Sequence, residues 1–205
     1  MSGEGRKRTL AFAITGASGA LYAMRTLAAL LERDCHVELV VSEYGRRLLR
    51  DELGDGAAVD RLGEFLTDKY GKSVRRGSYT LLSNKDLGAT IASGSHDCEG
   101  MAIVPCSMKT LAGVAHGLSR NLVERAADVM LKEHRRLVIV PRETPMSLPQ
   151  LKNMVLCAEA GAMIMPATPA FYQMPKTLDD LADFMAGKIL SALGFDQTLY
   201  PKWKQ

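Results

Sequence analysis

The sequence predicts an α/β fold in which helices cover both faces of a doubly wound, parallel sheet. Short apolar runs alternate with segments of helical periodicity, which is the pattern of repeated strand-helix units. Glycines, small hydroxyl residues and charges follow the apolar runs, as they do where strands end in a ligand crevice. The chain has 205 residues, of which 47% are hydrophobic and 24% charged, which is enough for one domain with a full core.

Five largely apolar runs are predicted to be the strands. They are rich in Val, Ile and Leu, which is typical of parallel strands buried on both faces. The runs cover residues 9–15, 37–41, 101–105, 137–140 and 162–165. Apolar residues at helical spacing predict helices over 24–31, 59–66, 122–129 and 178–189. Residues 72–95 contain scattered Gly, Ser and Asn and are predicted to carry loops.

Composition and charge argue against several classes of protein. The formal net charge is only +3, and no basic stripe is interleaved with aromatic residues, which argues against nucleic-acid binding. No apolar run approaches the roughly 20 residues of a membrane-spanning helix, and the N-terminus lacks the apolar core of a secretory signal. Four scattered cysteines predict free thiols in a reducing cytoplasm, and four histidines lack metal-ligand spacing. We therefore expect a cytoplasmic protein without a bound metal.

The 16–19 loop (GASG) separates the first predicted strand from the first helix. Backbone N–H groups and the helix dipole favour an anion at such a position, and the hydroxyl of Ser18 adds a donor. A tight turn that needs glycine for its geometry alone is the alternative. The dinucleotide fingerprint G-x-G-x-x-G is incomplete, because only Gly16 and Gly19 are present. We expect this loop to bind a phosphate, but not that of NAD.

A short-chain dehydrogenase would also need a Tyr-x-x-x-Lys pair on one helix. Tyr172 and Lys176 have that spacing, but Pro175 lies between them and is incompatible with a regular helix turn. The sequence therefore argues against a dehydrogenase of this kind.

Polar segments follow each predicted strand, at the edge where doubly wound sheets bind their ligands. These segments are 16–19, 42–43, 106–109, 142–145 and 166–172. Taken alone, Ser42 is typical of a helix N-cap and Lys109 of a solvated lysine. Arg125 and Lys132 lie seven residues apart, which puts both on one helix face and is typical of a charged surface. We predict one binding site along this edge of the sheet.

Six segments stand out when they are taken together. They are ITGASGALYAMRTL, ASGS at 92–95, PCSMKTLAGVAHG, NLVERAADVMLKE, LVIVPRETPMS and PATPAFYQMP. In this order they resemble the UbiX-type flavin prenyltransferases, a family also named after its phenolic acid decarboxylase members. The resemblance extends over residues 10–203. It implies a flavodoxin-like or Rossmann-like single domain, with residues 1–8 as a flexible tail and 195–205 as an extension at a subunit interface.

The resemblance also implies an activity. Members of the family form dodecamers, bind FMN and need no metal. They transfer a dimethylallyl group from dimethylallyl phosphate to reduced FMN, forming bonds at N5 and then at C6 of the flavin. The prenylated FMN is the cofactor of a partner decarboxylase of the UbiD type.

The resemblance assigns site residues position by position. It implies catalytic roles for Ser18, Glu52, Lys132 and Glu143. The residues implied in FMN binding are Gly16, Ala17, Ser18, Ser42, Cys106, Ser107, Met108, Lys109, Arg125 and Arg142. The residues implied in binding the prenyl donor are Ser93, Gly94, Lys132, Arg142, Glu143, Tyr172, Lys188 and Trp203.

Within these sets, Lys132, Tyr172 and Lys188 would help to hold the donor phosphate. Glu143 would donate a proton to the leaving phosphate or receive one during ring closure. Glu52 matches an acidic position that a neighbouring subunit can supply. Lys188 replaces an arginine common in the family, which keeps the charge but loses the bidentate fork. Both a monophosphate and a diphosphate of the dimethylallyl group stay open as the donor.

Two other functions on the same fold stay open as alternatives. An FMN-dependent decarboxylase of the cysteine-decarboxylase type would need a catalytic histidine, for which His116 in AGVAHG is the candidate. A non-catalytic subunit of a decarboxylase would bind flavin without changing it.

Overall fold

The computed structural model describes residues 7–201 and contains, in that part of the chain, a sheet of six parallel strands. The strands lie in the order β3-β2-β1-β4-β5-β6. They are β1 (Thr9–Ile14), β2 (His36–Val41), β3 (Ser78–Leu82), β4 (Gly100–Cys106), β5 (Arg136–Pro141) and β6 (Met163–Ile164). This is the Rossmann order, in which the direction of winding reverses between β1 and β4. The predicted doubly wound parallel fold is confirmed.

Helices within residues 7–201 cover both faces of the sheet. They are α1 (Ala20–Glu32), α2 (Glu43–Leu53), α3 (Leu62–Tyr70), α4 (Met108–Ala115), α5 (Leu122–Lys132), α6 (Leu148–Glu159) and α7 (Leu178–Ala192). On the first face, α1, α3 and α7 pack with Phe12 and Ile14 of β1. On the second face, α4, α5 and α6 pack in one cluster with Ala11 and Ala13. Successive residues of a strand point to opposite faces, so β1 contributes to both clusters.

The central strands are buried along almost their whole length, which explains their continuous apolar sequences. All seven residues of β4 are buried, and so are five of the six residues of β1. Strand β1 pairs with β2 up to Ile14 opposite Val41, and with β4 through Ala13 opposite Ile103. This register brings the carboxyl ends of the three strands to one edge of the sheet.

The prediction of loops over 72–95 is wrong for residues 78–82, which form β3. This strand lies at the edge of the sheet beside β2, and Ser78, Thr80 and Leu81 are exposed. Because an edge strand is only partly covered, its sequence SYTLL needs no continuous apolar run. The sequence of β3 therefore carries no apolar run that would predict a strand.

Helices α2, α4 and α6 are additional to the four helices predicted from the sequence. The buried residue of α6 is Cys157, while Leu148 and Val155 are exposed. The predicted helix over 59–66 begins with a 3₁₀ turn and becomes α-helical at Leu62. Helix α7 begins at Leu178, so Tyr172 and Lys176 do not share a helix turn, as Pro175 predicted.

Two residues of the predicted N-terminal tail contact the folded chain. Lys7 lies 2.6 Å from Asp34, and Arg8 lies 2.7 Å from Glu99, with its guanidinium 3.7 Å from the ring centre of Phe195. Residues 1–6 and 202–205 lie outside the described part of the chain. The interface role of 195–205 stays a prediction. Among the described residues, no helix is both long and apolar enough to cross a membrane.

Gly45, in the first turn of α2, packs directly against the end of β1. A Cβ atom at this position would lie 2.5 Å from the carbonyl oxygen of Ile14. The central strand cannot retreat, so we expect Gly45→Ala to lower the free energy of unfolding by about 1–3 kcal/mol, measured by urea denaturation.

The matched control is Gly63→Ala in α3, where the new Cβ would lie 3.4 Å from the Tyr79 hydroxyl. We expect this control to keep or raise the stability, because alanine favours helix. An unchanged urea midpoint for Gly45→Ala would show that the contact can relax.

Candidate active site

A buried threonine joins the ends of β1 and β4. Thr15 is 1% exposed, and its hydroxyl donates to the carbonyl oxygen of Pro105 at 3.0 Å. The same hydroxyl accepts a hydrogen bond from the backbone N–H of Ser107 at 2.7 Å. These bonds hold the loops after the two strands side by side at the point where the winding reverses. Ligands of doubly wound sheets bind at that point.

The 16–19 loop passes close to α2 and turns sharply into α1. A Cβ atom on Gly16 would lie 2.5 Å from the Cβ atom of Tyr44. Gly19 has a φ of +122°, which glycine adopts without the strain of a side chain. Both glycines therefore meet a geometric requirement, whatever ligand the loop binds. The first turn of α1, beginning at Ala20, contains no acidic residue.

Glu52, near the end of α2, lies against the start of α1. Its Oε2 atom accepts hydrogen bonds from the backbone N–H groups of Gly19 at 3.0 Å and Ala20 at 2.8 Å. A carboxylate is stabilised at a helix N-terminus by these N–H groups and by the helix dipole. Glu52 thus reaches the 16–19 loop of its own chain, and its own carboxylate satisfies the first amides of α1.

Two clefts open on either side of the 16–19 loop. The first cleft has a volume of about 320 Å³, and its lining includes Thr15, Gly16, Ser42, Ser107, Lys109 and Glu124. The second cleft has a volume of about 430 Å³, and its lining includes Ser18, Gly19, Tyr22, Glu52, Arg142 and Leu178. The structure therefore divides most of the residues expected at the carboxyl edge of the sheet between two adjoining clefts.

The polar groups of the first cleft suit an anionic nucleotide. Ser42 caps α2 by accepting a hydrogen bond from Gly45 at 3.0 Å, and Ser107 caps α4 by accepting one from Thr110 at 3.3 Å. Lys109 lies in the first turn of α4, where a positive charge faces the positive end of the helix dipole. An anion bound there would relieve that repulsion. The role of Ser42 as a cap is confirmed, and its contact with FMN stays a prediction.

Glu124 is a residue of the first cleft that was not expected from the sequence. It is 2% exposed, and its carboxylate accepts hydrogen bonds from the Nη2 atom and the backbone N–H of Arg120, each at 3.0 Å. Burial acts to raise the pKa of Glu124, but the hydrogen bonds from Arg120 outweigh it and lower this pKa below its ordinary value. A negative charge therefore lines the first cleft, which directs a bound phosphate toward the Lys109 side. The signal in the sequence that could have found Glu124 is its i, i+4 spacing from Arg120, which is typical of an ion pair on a helix.

Two expected FMN-binding residues have buried side chains. Ala17 is 8% exposed, and Cys106 is fully buried within the second core cluster. Burial, and then the neighbouring Cys157, raises the pKa of the Cys106 thiol far above its ordinary value. The thiol is therefore protonated. These two residues can offer a ligand their backbone, whereas Met108 is half-buried beside the same cluster.

The second cleft contains the arginine that follows β5. The Nε atom of Arg142 donates to the carbonyl oxygen of Ser18 at 3.3 Å, which holds the guanidinium group across the 16–19 loop. Glu143 is half-buried at the same edge of the sheet, and its carboxylate accepts a hydrogen bond from the backbone N–H of Thr144 at 3.2 Å. Ser18, Glu52 and Arg142 are thus brought together in one cleft.

A second group of expected site residues does not line either of these two clefts. We call Ser93, Gly94, Arg125 and Lys132 the Lys132 cluster. The Nε atom of Arg125 donates to the carbonyl oxygen of Ala92 at 3.1 Å, and a Cβ atom on Gly94 would lie 2.7 Å from the Nζ atom of Lys132. As their spacing predicted, Arg125 and Lys132 lie on one helix, α5. The structure adds that this helix lies next to the 92–95 segment.

The Lys132 cluster is separated from the second cleft by the length of a strand. Helix α5 ends at Lys132, shortly before β5 begins at Arg136, so this lysine lies near the amino edge of the sheet. Arg142 follows the other end of β5, and six residues of strand span roughly 20 Å. A single copy of the chain does not bring Lys132 and Arg142 into one site.

Tyr172 and Lys188, which are expected to bind the donor, are close to α7 or within it. Tyr172 makes an edge-to-face contact with Phe184, with the ring centres 6.1 Å apart. Lys188 is exposed one turn beyond Phe184, and lies about 15 Å along the helix from Leu178 in the second cleft. Trp203 lies outside the described residues, so its expected role stays a prediction.

His116, the candidate catalytic histidine of a cysteine-type decarboxylase, is exposed at the end of α4. Its Nε2 atom lies 3.2 Å from the Oδ1 atom of Asn153. Among residues 7–201 it belongs to the lining of neither cleft. Within the same residues, no group of three His, Cys, Asp or Glu side chains is placed to hold a metal, and the four cysteines are unpaired.

Comparison with known proteins gives matches over most of the chain. The sequence model of the Flavoprotein family matches residues 1–189. The flavin prenyltransferase UbiX of Halalkalibacterium halodurans is 46% identical over 190 residues, which cover 93% of this chain and 90% of the relative.

Two solved structures are similar in fold and in sequence. AnUbiX (PadA1), in complex with FMN and dimethylallyl pyrophosphate, has a TM-score of 0.86 and 36% identity over 98% of this chain and 99% of its own. The dodecameric FMN-dependent UbiX-like decarboxylase of Escherichia coli O157:H7 has a TM-score of 0.83 and 35% identity over 96% and 100% of the two chains. These matches confirm the resemblance seen in the sequence, and the chain belongs to the Flavoprotein family and, within it, to the UbiX-type flavin prenyltransferases.

Proposed function

We propose that this protein transfers a dimethylallyl group from dimethylallyl phosphate to reduced FMN, and that a UbiD-type decarboxylase uses the prenylated FMN. The observation that carries the proposal is the pair of clefts on either side of the 16–19 loop. One cleft has the donors that suit a flavin nucleotide, and the other has groups that suit a phosphate ester. The similarity to AnUbiX, which was solved with FMN and dimethylallyl pyrophosphate, supports this pairing of ligands.

FMN fits the first cleft by the chemistry of its lining. Its phosphate would lie between Ser107 and Lys109 at the start of α4, where amide groups and an ammonium group attract an anion. Gly16 lines this cleft, and the hydroxyl of Ser42 can donate to the nucleotide while it accepts from Gly45. The carboxylate of Glu124 would accept hydrogen bonds from the hydroxyl groups of the ribityl chain.

The donor phosphate fits the second cleft. The Arg142 guanidinium is held across the loop by the carbonyl oxygen of Ser18 and can still present N–H groups to a phosphate. Glu52 already satisfies the N–H groups of Gly19 and Ala20, so the phosphate would bind beside it, at Arg142 and the Ser18 hydroxyl. The nearby negative charge of Glu52 makes a further cation necessary.

A second copy of the chain would supply that cation. The Lys132 cluster lies roughly 20 Å from Arg142 within one copy, and a phosphate monoester carries about two negative charges near pH 7. One arginine does not neutralise such a group. We therefore place the Lys132 cluster of one copy over the second cleft of another, in a homo-oligomer that is a dodecamer like the E. coli relative.

The chemistry divides between the flavin and the protein. When bound, reduced FMN would supply the nucleophilic N5 and C6 atoms. The protein would hold the phosphate with Arg142, Lys132 and Tyr172, so that the carbon–oxygen bond of the donor can break with its electron pair on the phosphate. Glu143 would then give a proton to that phosphate or receive one during ring closure. No protein nucleophile is needed.

We also place the protein in the cytoplasm. Four buried, unpaired cysteines suit a reducing compartment. The recipient of the product, a UbiD-type decarboxylase, would have to take up the prenylated FMN after its release from the oligomer.

The function is tested by the mass of the flavin. The protein is incubated without oxygen with reduced FMN and dimethylallyl phosphate, or with the corresponding diphosphate in a parallel sample. We expect the mass of the extracted flavin to rise by one five-carbon unit, and not to change without a donor. An unchanged mass, together with calorimetric proof that both ligands bind, would reject the prenyltransferase and leave a non-catalytic flavin carrier. Release of CO₂ from a peptide with a C-terminal cysteine would instead favour the decarboxylase.

A further inference from the structure

A carboxylate is buried in the middle of β2, beneath the segment that leads to β4. Glu38 is 5% exposed. The hydroxyl of Thr90 donates to its Oε1 atom, and the Nε2 atom of His96 lies 2.7 Å from its Oε2 atom. An apolar side chain would stabilise such a strand position at least as well as a buried pair of polar groups. The pair therefore suggests a function other than stability.

A neutral imidazole with its hydrogen on Nε2 can donate this hydrogen bond to Glu38. The contact ties the 92–96 segment to the sheet, since His96 is the last residue of that segment and Glu38 lies on β2. It joins residues that are 58 positions apart in the sequence.

Two arginines hold the same segment by its backbone. Arg135 donates from Nη1 to the carbonyl oxygen of His96 at 2.7 Å and from Nη2 to that of Gly94 at 2.6 Å. Arg125 donates to the carbonyl oxygen of Ala92 at 3.1 Å. These three hydrogen bonds and the contact between Glu38 and His96 thus fix residues 92–96.

The fixed segment contains Ser93 and Gly94 of the Lys132 cluster and lies directly against Lys132. A Cβ atom on Gly94 would lie 2.7 Å from the Nζ atom of Lys132 and would also collide with the carboxylate of Glu133, which pairs with that lysine. The hydroxyl groups of Ser93 and Ser95 lie 2.8 Å apart. The place of the Lys132 ammonium group therefore depends on the conformation of the 92–96 segment.

We propose that Glu38, His96 and Arg135 are positioning residues for the prenyl donor. They hold the 92–96 segment in the conformation that presents Lys132 and the Ser93 hydroxyl to the phosphate of a dimethylallyl phosphate. This inference rests on the proposed function. None of the three residues needs to touch the donor, because each acts through the segment or through its backbone.

The test separates binding of the donor from binding of the flavin. His96→Phe keeps an aromatic ring of similar size but removes the N–H group that Glu38 accepts. We expect the KM for dimethylallyl phosphate to rise about tenfold, because loss of a hydrogen bond to a charged group disturbs the segment. We expect kcat to change less than about threefold, and the Kd for FMN, measured by flavin fluorescence, to change less than about twofold.

Three further variants complete the test. His96→Gln restores an N–H group that can reach Glu38, and we expect it to recover most of the donor affinity. His36→Phe is the matched control, because it removes a histidine hydrogen bond of 2.9 Å to Ser78 at the start of β2 and should leave both constants unchanged. If thermal melting shows that His96→Phe does not fold, Arg135→Lys makes the same test, because its single ammonium group cannot hold both carbonyl oxygens as the guanidinium does.

The possible outcomes distinguish this inference from the proposed function. A donor KM within about twofold of the wild type in folded His96→Phe would overturn the inference, as would a parallel loss of FMN affinity. If the wild-type protein makes no prenylated FMN, the proposed function fails instead. Calorimetry with inorganic phosphate then still tests the segment, because weaker phosphate binding by His96→Phe than by the wild type is expected, and equal binding would contradict it.

Discussion

Replacing Glu143 by glutamine is expected to slow formation of prenylated FMN by a factor of about 10² to 10⁴ and to leave FMN bound. Glutamine keeps the size and polarity of the side chain but cannot transfer a proton at neutral pH. Glu143 directly follows Arg142 at the end of β5 and is half-buried, while the residues assigned to the nucleotide line the first cleft. The chemical step and flavin binding should therefore respond differently.

The measurement is the single-turnover rate of product formation under anaerobic conditions, with flavin retention determined on the same sample. Glu159→Gln, at the exposed end of α6, is the matched control and should react at the wild-type rate. A Glu143→Gln protein with full activity would remove Glu143 from the mechanism, and one that has lost FMN would assign it to binding instead.

Mixing two inactive variants in one oligomer is expected to restore about a quarter of the wild-type activity. Lys132→Met removes the ammonium group from the Lys132 cluster. Glu143→Gln removes the carboxyl group that is proposed to transfer a proton at the carboxyl edge of the sheet. If each site is shared between two copies, co-expression in equal amounts leaves both halves intact in about one site in four. If each site lies within one copy, no intact site can form.

The two variants carry different affinity tags, so that mixed oligomers can be purified and their activity compared with that of each variant alone. Recovery well above both pure variants would support a shared site. A mixed oligomer no more active than the mean of the pure variants would contradict it, and would mean that Lys132 acts within its own chain despite the roughly 20 Å that separate it from Arg142.

The sequence predicts the site residues that directly follow a strand, but not those that reach a cleft from within a helix. The segments that follow β1, β2, β4 and β5 could be predicted to share one edge, because the ends of parallel strands meet there and each segment adjoins its strand in the sequence. This reasoning finds Gly16, Ser42, Lys109 and Arg142 from the sequence alone. It does not find Glu124, which lies inside α5 and reaches the first cleft through packing of that helix.

The sequence by itself determined the doubly wound fold and the family, because buried parallel strands require continuous apolar runs and because six motifs keep their order along the chain. Only the tertiary structure decided which distant residues meet. Glu52 reaches Gly19 across 33 positions and His96 reaches Glu38 across 58. It also showed that Lys132 lies at the opposite edge from Arg142. Local periodicity follows from the geometry of a single helix or strand, whereas such contacts depend on how all the elements pack together.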